Sequence, residues 1–296
     1  NYNVVVGDEA GTALTTGDFN TAIGFEALKT EDAGGFNTAV GYQALKTQDA
    51  GDAGNVAVGY QAGLDITTGF SNTLVGASAG ANITDGDYNT FMGSNTGLSV
   101  TTGLRHTLIG ALAGDAITTA NNNVAVGYEA LTATTTGNSN TAVGTYSGNL
   151  NTTGIANASL GSASFLTNST GSYNTALGGD SLRSNTTASN NTAVGYSALR
   201  ANTTAAENTA VGYEAGTANT TGTGNSILGS NAGDALTTGS YSTAMGQNAL
   251  STATTSTHNT AIGQSALFLT TTGTYNTGIG ASALYSNTIA SNNTAV

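Results

Sequence analysis

The chain has 296 residues, of which 5 are Lys or Arg and 17 are Asp or Glu, for a net charge of −12. It holds 42 Gly, no Pro, no Cys and no Trp, and only 7% of its residues are charged. The missing Cys excludes a disulfide framework and thiolate metal sites, and five scattered cations cannot make the basic surface that nucleic acid requires. No apolar run approaches the ~20 residues of a membrane helix, so no membrane insertion is expected in this segment.

Internal repetition organises the rest. The unit Asn-Thr-Ala-Val/Ile-Gly starts at Asn20, Asn37, Asn140, Asn191 and Asn208, with close variants between them. Aligned on it, the chain is 17 full repeats and the opening of another, from Asn3 to Val296. Every step is 17 residues except one of 18, across Gly51-Asp52-Ala53-Gly54. Residues 1–296 therefore read as a single continuous array. No capping segment stands at either end, and a solenoid needs caps, so the native chain is expected to continue in both directions.

Within a repeat, column 1 is Asn in 16 of 18 cases, His106 and Ser242 being the exceptions. Columns 2–4 (Thr-Ala-Val) alternate as a short strand does, with 2 and 4 on one face. That face is expected to point inward, leaving the small residue of column 3 outside for close approach of another chain. Column 4 is always aliphatic or Met, and column 5 is Gly in all 17 complete repeats, including Gly24, Gly41, Gly144, Gly195 and Gly212. Gly in columns 5 and 15 suits tight corners or close backbone approach. The column 1 amides, stacked about 4.8 Å apart, suit a ladder. Columns 6 and 7 vary most and are expected to face out, with Tyr42, Tyr60, Tyr128, Tyr196 and Tyr213 as candidate surface-binding residues.

Columns 9 and 12 covary. Leu or Phe in column 9 accompanies a residue other than a large aliphatic in column 12, as in Leu28 with Glu31. Gly in column 9 accompanies a large aliphatic, as in Gly63 with Ile66. Fifteen of 17 repeats obey this, and Gly148/Asn151 and Gly216/Asn219 do not. Close packing explains the rule if both columns feed one hole that holds one large side chain per turn. The expected fold is an all-β parallel solenoid of 17-residue turns. At ~4.8 Å per turn, 17 turns make a rod on the order of 80 Å long.

The Asn-Thr-Ala-Val-Gly-Tyr-x-Ala-Leu unit is similar to the Asn-Ser-Val-Ala-Ile-Gly unit of trimeric autotransporter adhesin heads (YadA-like heads). It resembles still more the Asn-Thr-Ala-Ile-Gly-x-x-Ala-Leu arrays of phage tail fibres and bacterial surface proteins. The resemblance covers the whole chain. It implies a left-handed β-roll in a homotrimeric fibre, located outside the cell or on a virion tail. The 17-residue period departs from the roughly 14 to 15 residues of the adhesin heads.

Catalysis is not expected. The two histidines, His106 and His258, lie 152 residues apart, and no nucleophile–base pair can be assembled. The Gly-rich corners lack the Gly-Lys-Thr of a phosphate loop. The acidic residues from Glu31 to Asp52 offer oxygens of the kind that Ca²⁺ takes. No calcium-loop motif accompanies them, so solvated surface is expected, with no metal and no cofactor. Few carboxylates also imply little effect of acid on folding. Three classes follow: a structural and adhesive fibre shaft holding or contributing to binding of a cell-surface glycan or host receptor; a Thr-rich ice-binding solenoid; or a stalk whose chemistry lies outside this segment. The first is the main reading and the second its alternative.

Overall fold

A computed structural model describes residues 2–296. The chain divides into two compact units, Asn1–Thr153 and Gly154–Val296. Among the described residues all regular structure is β, and no helix is long and apolar enough to cross a membrane. Each unit is a parallel solenoid that places one short strand in every turn. The first unit runs from Val4–Val6 and Thr21–Ile23 to Thr141–Val143. The second runs from Ala158–Leu160 to Thr277–Ile279, followed by Thr294–Ala295.

Register follows the sequence period. Thr21, Ala22 and Ile23 lie opposite Thr38, Ala39 and Val40. The 18-residue turn absorbs its extra residue outside the strand, because Thr38 still pairs with Val56 and Val40 with Val58. Bonds run from each turn to the next, for example Thr21 N–H to the Asn37 carbonyl (2.8 Å) and Gly24 N–H to that of Val6 (2.8 Å). Every strand residue donates or accepts along the stack, which is why Pro is missing.

The strand faces the opposite way from the sequence expectation. Column 3 is buried and columns 2 and 4 look outward: Ala22, Ala39, Leu74, Phe91, Leu108 and Ile227 all lie in the core. Column 3 therefore contributes nothing to contact between chains. The physical reason lies in the hydroxyl of Thr in column 2, which would need a partner inside a core one side chain thick. An alanine methyl needs none.

The remaining core comes from the small residue of column 8 and from columns 9 and 12. The shared hole is real and has a third contributor. A Cβ added to Gly80 would lie 2.7 Å from Ile83 Cδ1, 3.0 Å from Leu74 and 3.1 Å from Phe91. At Gly216, one of the two exceptions, column 12 is Asn219 and the space is taken by Ile227 Cδ1 (2.9 Å) and Leu199 Cδ2 (3.1 Å). Large residues in column 3 thus occur beside Gly in column 9.

Column 9 also sits in the left-handed region, with Leu199 at φ 48° and Gly97 at φ 57°. Leucine there carries backbone strain that glycine avoids, while glycine forfeits core volume. The Leu/Gly alternation reflects both terms. Column 15 has no positive φ at Gly17, where the glycine is required by close approach: a Cβ would meet the Gly34 carbonyl oxygen at 2.2 Å.

Candidate functional surface

The outward strand face is the most regular surface of the molecule. Column 2 contributes Thr in 13 of 18 turns and column 4 a large aliphatic or Met in all of them. Exposure in column 4 is 47% at Met92 and 54% at Leu160, within the array. No Asp, Glu, Lys or Arg occurs in columns 1–5 of any repeat. Each unit therefore carries an uncharged face on which a hydroxyl row runs beside an aliphatic row. Rows repeat about every 4.8 Å down the stack and lie roughly 7 Å apart along the strand.

The Asn column behind this face is a buried scaffold. Asn20 donates Nδ2–H to the Gly34 carbonyl (2.8 Å), and its Oδ1 accepts the Asn37 N–H (2.9 Å). Asn191 repeats this with Ala205 and Asn208, and Asn208 with Gly222 and Asn225. The N–H of Asn140 donates to Asn123 Oδ1 (2.8 Å). Asn37 keeps the acceptor half, its Oδ1 taking the Asn55 N–H, while its Nδ2 is buried without a partner. These amides bond mainly to backbone and to one another only at some steps, as from Asn174 to Asn157 Oδ1 (3.1 Å) and from Asn191 to Asn174 Oδ1 (3.3 Å); a second side-chain ladder lies in another column. In column 12 of the second unit, Asn185 donates to Asn168 Oδ1 (2.9 Å), Asn202 to Asn185 (2.9 Å) and Asn219 to Asn202 (3.2 Å). Its signal in the sequence is Asn at 17-residue spacing from Asn168 to Asn219.

His106 fills an Asn position by imitating the amide. Its Nε2–H donates to the Ala120 carbonyl (2.7 Å) and its Nδ1 accepts the Asn123 N–H (3.2 Å). Burial pushes its pKa down to about 4. The imidazole is therefore neutral in the folded chain, while the unfolded chain takes up a proton as pH falls below its ordinary value near 6.5. Stability from this site is intact above pH 6.5, declines as pH falls, and is fully lost below about pH 4, for a total of about 3 kcal/mol. Acid thus has a specific point of attack that the sparse carboxylates conceal. In matched denaturation titrations at pH 7 and pH 4, His106→Asn is expected to remove this loss, since Asn makes the same two bonds without titrating. A wild-type and variant pair that lose equal stability between the two pH values would show that His106 takes up its proton alike in the folded and unfolded chain.

The five tyrosines named from sequence are all exposed. Tyr42 and Tyr60 stack on each other with centroids 5.3 Å apart and planes at 8°, as do Tyr196 and Tyr213 at 5.7 Å and 17°. Tyr128 meets Tyr146 edge to face. Stacked rings spend faces on one another that a sugar ring would need. A second aromatic row, unforeseen from sequence, lies in column 17, where His258 meets Tyr241 at a tilt (5.3 Å, 33°) and stacks on Tyr275 (4.8 Å, 13°).

Glu26 holds the one ionic cluster among the described residues that links three turns. Lys29, Lys46 and Gln43 bind its carboxylate and hold its pKa down to about 2. No protein-family model and no curated protein matches this chain.

Proposed function

We propose that the array is a non-catalytic shaft of an extracellular fibre, assembled from three copies packed through their strand faces, and that it holds or contributes to binding at a cell or host surface. The outward aliphatic row of column 4 carries this reading. A soluble chain keeps large apolar side chains exposed in an unbroken row where something covers them. Completing the burial of a half-exposed aliphatic side chain contributes on the order of 1 kcal/mol, so a row of them supplies a large driving force. A covering partner must repeat at the same pitch, and a second copy of this chain does so in every turn. The charge of −12, all of it off this face, opposes clumping through the other faces.

One observation favours ice binding as the second reading: the column 2 threonines point outward, in a regular uncharged array. Light scattering on the chain separates the two. The expected mass is three times the 29.0 kDa of one chain, falling to one chain in Val194→Asp/Val211→Asp, which charges the face of adjacent turns. A wild-type monomer overturns the fibre reading. Inhibition of ice recrystallisation by that monomer would then establish the alternative.

A further inference from the structure

The first unit carries a carboxylate group that the strand face does not explain. Column 13 is Thr or Ser in every turn but two, and the exceptions, Asp32 and Asp49, are consecutive in the stack. Beside them stands Glu31, the sole carboxylate of column 12. Carboxylate oxygens of Glu31, Asp32 and Asp49 all lie within 4.8 Å of one another. Asp32 and Asp49 are exposed, whereas Glu31 is fully buried, against the expectation of a solvated surface. One Glu31 oxygen, Oε1, accepts the Gly34 N–H (2.6 Å); Oε2 is buried and makes no well-formed hydrogen bond, with the Ala50 amide close enough to act on the carboxyl. Burial raises the proton affinity of this carboxyl, with Asp49 and Asp32 adding to the effect and the Gly34 and Ala50 amides opposing it.

The chain's own cations do not relieve the group. Lys29 is engaged by Glu9 and Glu26, and Lys46 by Glu26. The backbone opens at the same step. Column 13 N–H groups donate to the next turn's column 13 carbonyl from Thr15 to Asp32 (2.8 Å), from Asp49 to Thr67 (3.0 Å) and from Thr67 to Thr84 (3.0 Å). Asp32 makes no such bond to Asp49. This gap lies in a 17-residue step, directly before the 18-residue step that Asp49 and Thr67 do bridge. Like charges in register on neighbouring turns repel, and a buried carboxylate oxygen without a partner is costly.

We propose that Glu31, Asp32 and Asp49 bind one hard divalent cation, Ca²⁺ by donor chemistry, which ties the second turn to the third where the backbone bond between Asp32 and Asp49 is missing. The donor set is all oxygen, with no nitrogen or sulfur, and two of its members reach solvent. Ca²⁺ accepts such irregular sets by adding carbonyl and water oxygens, whereas Mg²⁺ demands a near-ideal octahedron. One internal group competes. Gln48 follows Glu31 in column 12, its Oε1 accepts from Asn55 (2.6 Å), and its Nε2 is buried without an acceptor. A bond from Gln48 to Glu31 would satisfy both without an ion.

Calorimetric titration of the full chain with CaCl₂ tests the proposal. One ion per chain is expected, with Kd on the order of 10⁻⁴ to 10⁻³ M, together with a rise in melting temperature. Asp32→Asn/Asp49→Asn is expected to weaken binding at least about tenfold. Asp8→Asn/Asp65→Asn, with the same charge change on other exposed aspartates, is expected to leave it unchanged. In calcium-free buffer Glu31→Gln is expected to melt higher than the wild type and to lose the calcium response. No saturable binding at ~10 mM Ca²⁺ overturns the site. Equal weakening in both double variants also overturns it, by showing diffuse attraction to an acidic surface. Full Ca²⁺ affinity in Glu31→Gln overturns it as well, because Glu31 then pairs with Gln48.

Discussion

Alanine at Gly178 is expected to destabilise the second unit by at least about 3 kcal/mol, while alanine at its neighbour Gly179 stays within about 1 kcal/mol of the wild type. Gly178 occupies column 5 with φ 132°, a region closed to residues with a side chain. A Cβ there would stand 2.5 Å from the Gly195 carbonyl oxygen and 2.6 Å from its carbon. Those are backbone atoms of the next turn, so relief requires the stack to open. Gly179 has no such φ, and its added Cβ would meet nothing nearer than the Tyr196 ring edge at 3.5 Å. There alanine removes conformational freedom from the unfolded chain at no cost to the fold. Thermal melts of the two variants beside the wild type test the contrast. Equal melting points would mean that column 5 is glycine for a reason other than turn-to-turn approach. Because repeat arrays can lose cooperativity, hydrogen exchange at turns next to Gly178 reads the same effect locally.

Much of this architecture was legible because each column performs one job many times over. The invariant glycine of column 5 and the Asn of column 1 announce their roles by repetition, and both hold in the fold. The direction of the strand was not legible by the same route. Three residues alternate equally well either way, and the aliphatic residues of column 4 favoured the inward choice. The deciding signal was present in another column: Leu74, Phe91, Leu108 and Ile227 each precede a column 9 glycine, at Gly80, Gly97, Gly114 and Gly233. A side chain that covaries with a core position is itself in the core. The left-handed leucines left only the Leu/Gly alternation as a trace, because leucine has no preference for that region. Glu31 was hidden differently. Column 12 can be filled or not, so a carboxylate there suggests a vacant, solvated position, and only the fold shows it enclosed.

The strand face and the Asn scaffold are coupled through one piece of backbone. Each column 1 carbonyl accepts the column 2 N–H of the preceding turn, as Asn208 does from Thr192 (2.8 Å). The amide side chain meanwhile fixes the corner from which the strand departs. The pitch of the outward Thr and aliphatic rows is thus set by buried side chains that never reach the surface.

Asn208→Ala is expected to cost about 1 to 3 kcal/mol, the penalty for one buried group left without a partner. The Asn225 N–H loses its acceptor (2.9 Å), whereas the Gly222 carbonyl loses one of two donors and keeps Asn219 Nδ2–H (2.9 Å). Asn208→Ser is expected to cost less, because Ser242 shows what a hydroxyl retains in this column: its Oγ still accepts the Asn259 N–H, at 3.3 Å. Only the donor half is lost in that variant. Asn208→Asp is expected to be at least as damaging as Ala at pH 7, since the carboxylate would face the Gly222 carbonyl with no proton to share. Lowering pH should narrow that gap, as the protonated acid regains a donor. Melting temperatures of the three variants at pH 7 and pH 4 test the order. A series in which Ala and Ser melt together would show that the acceptor bond contributes nothing, and that the carbonyl partner alone holds the column.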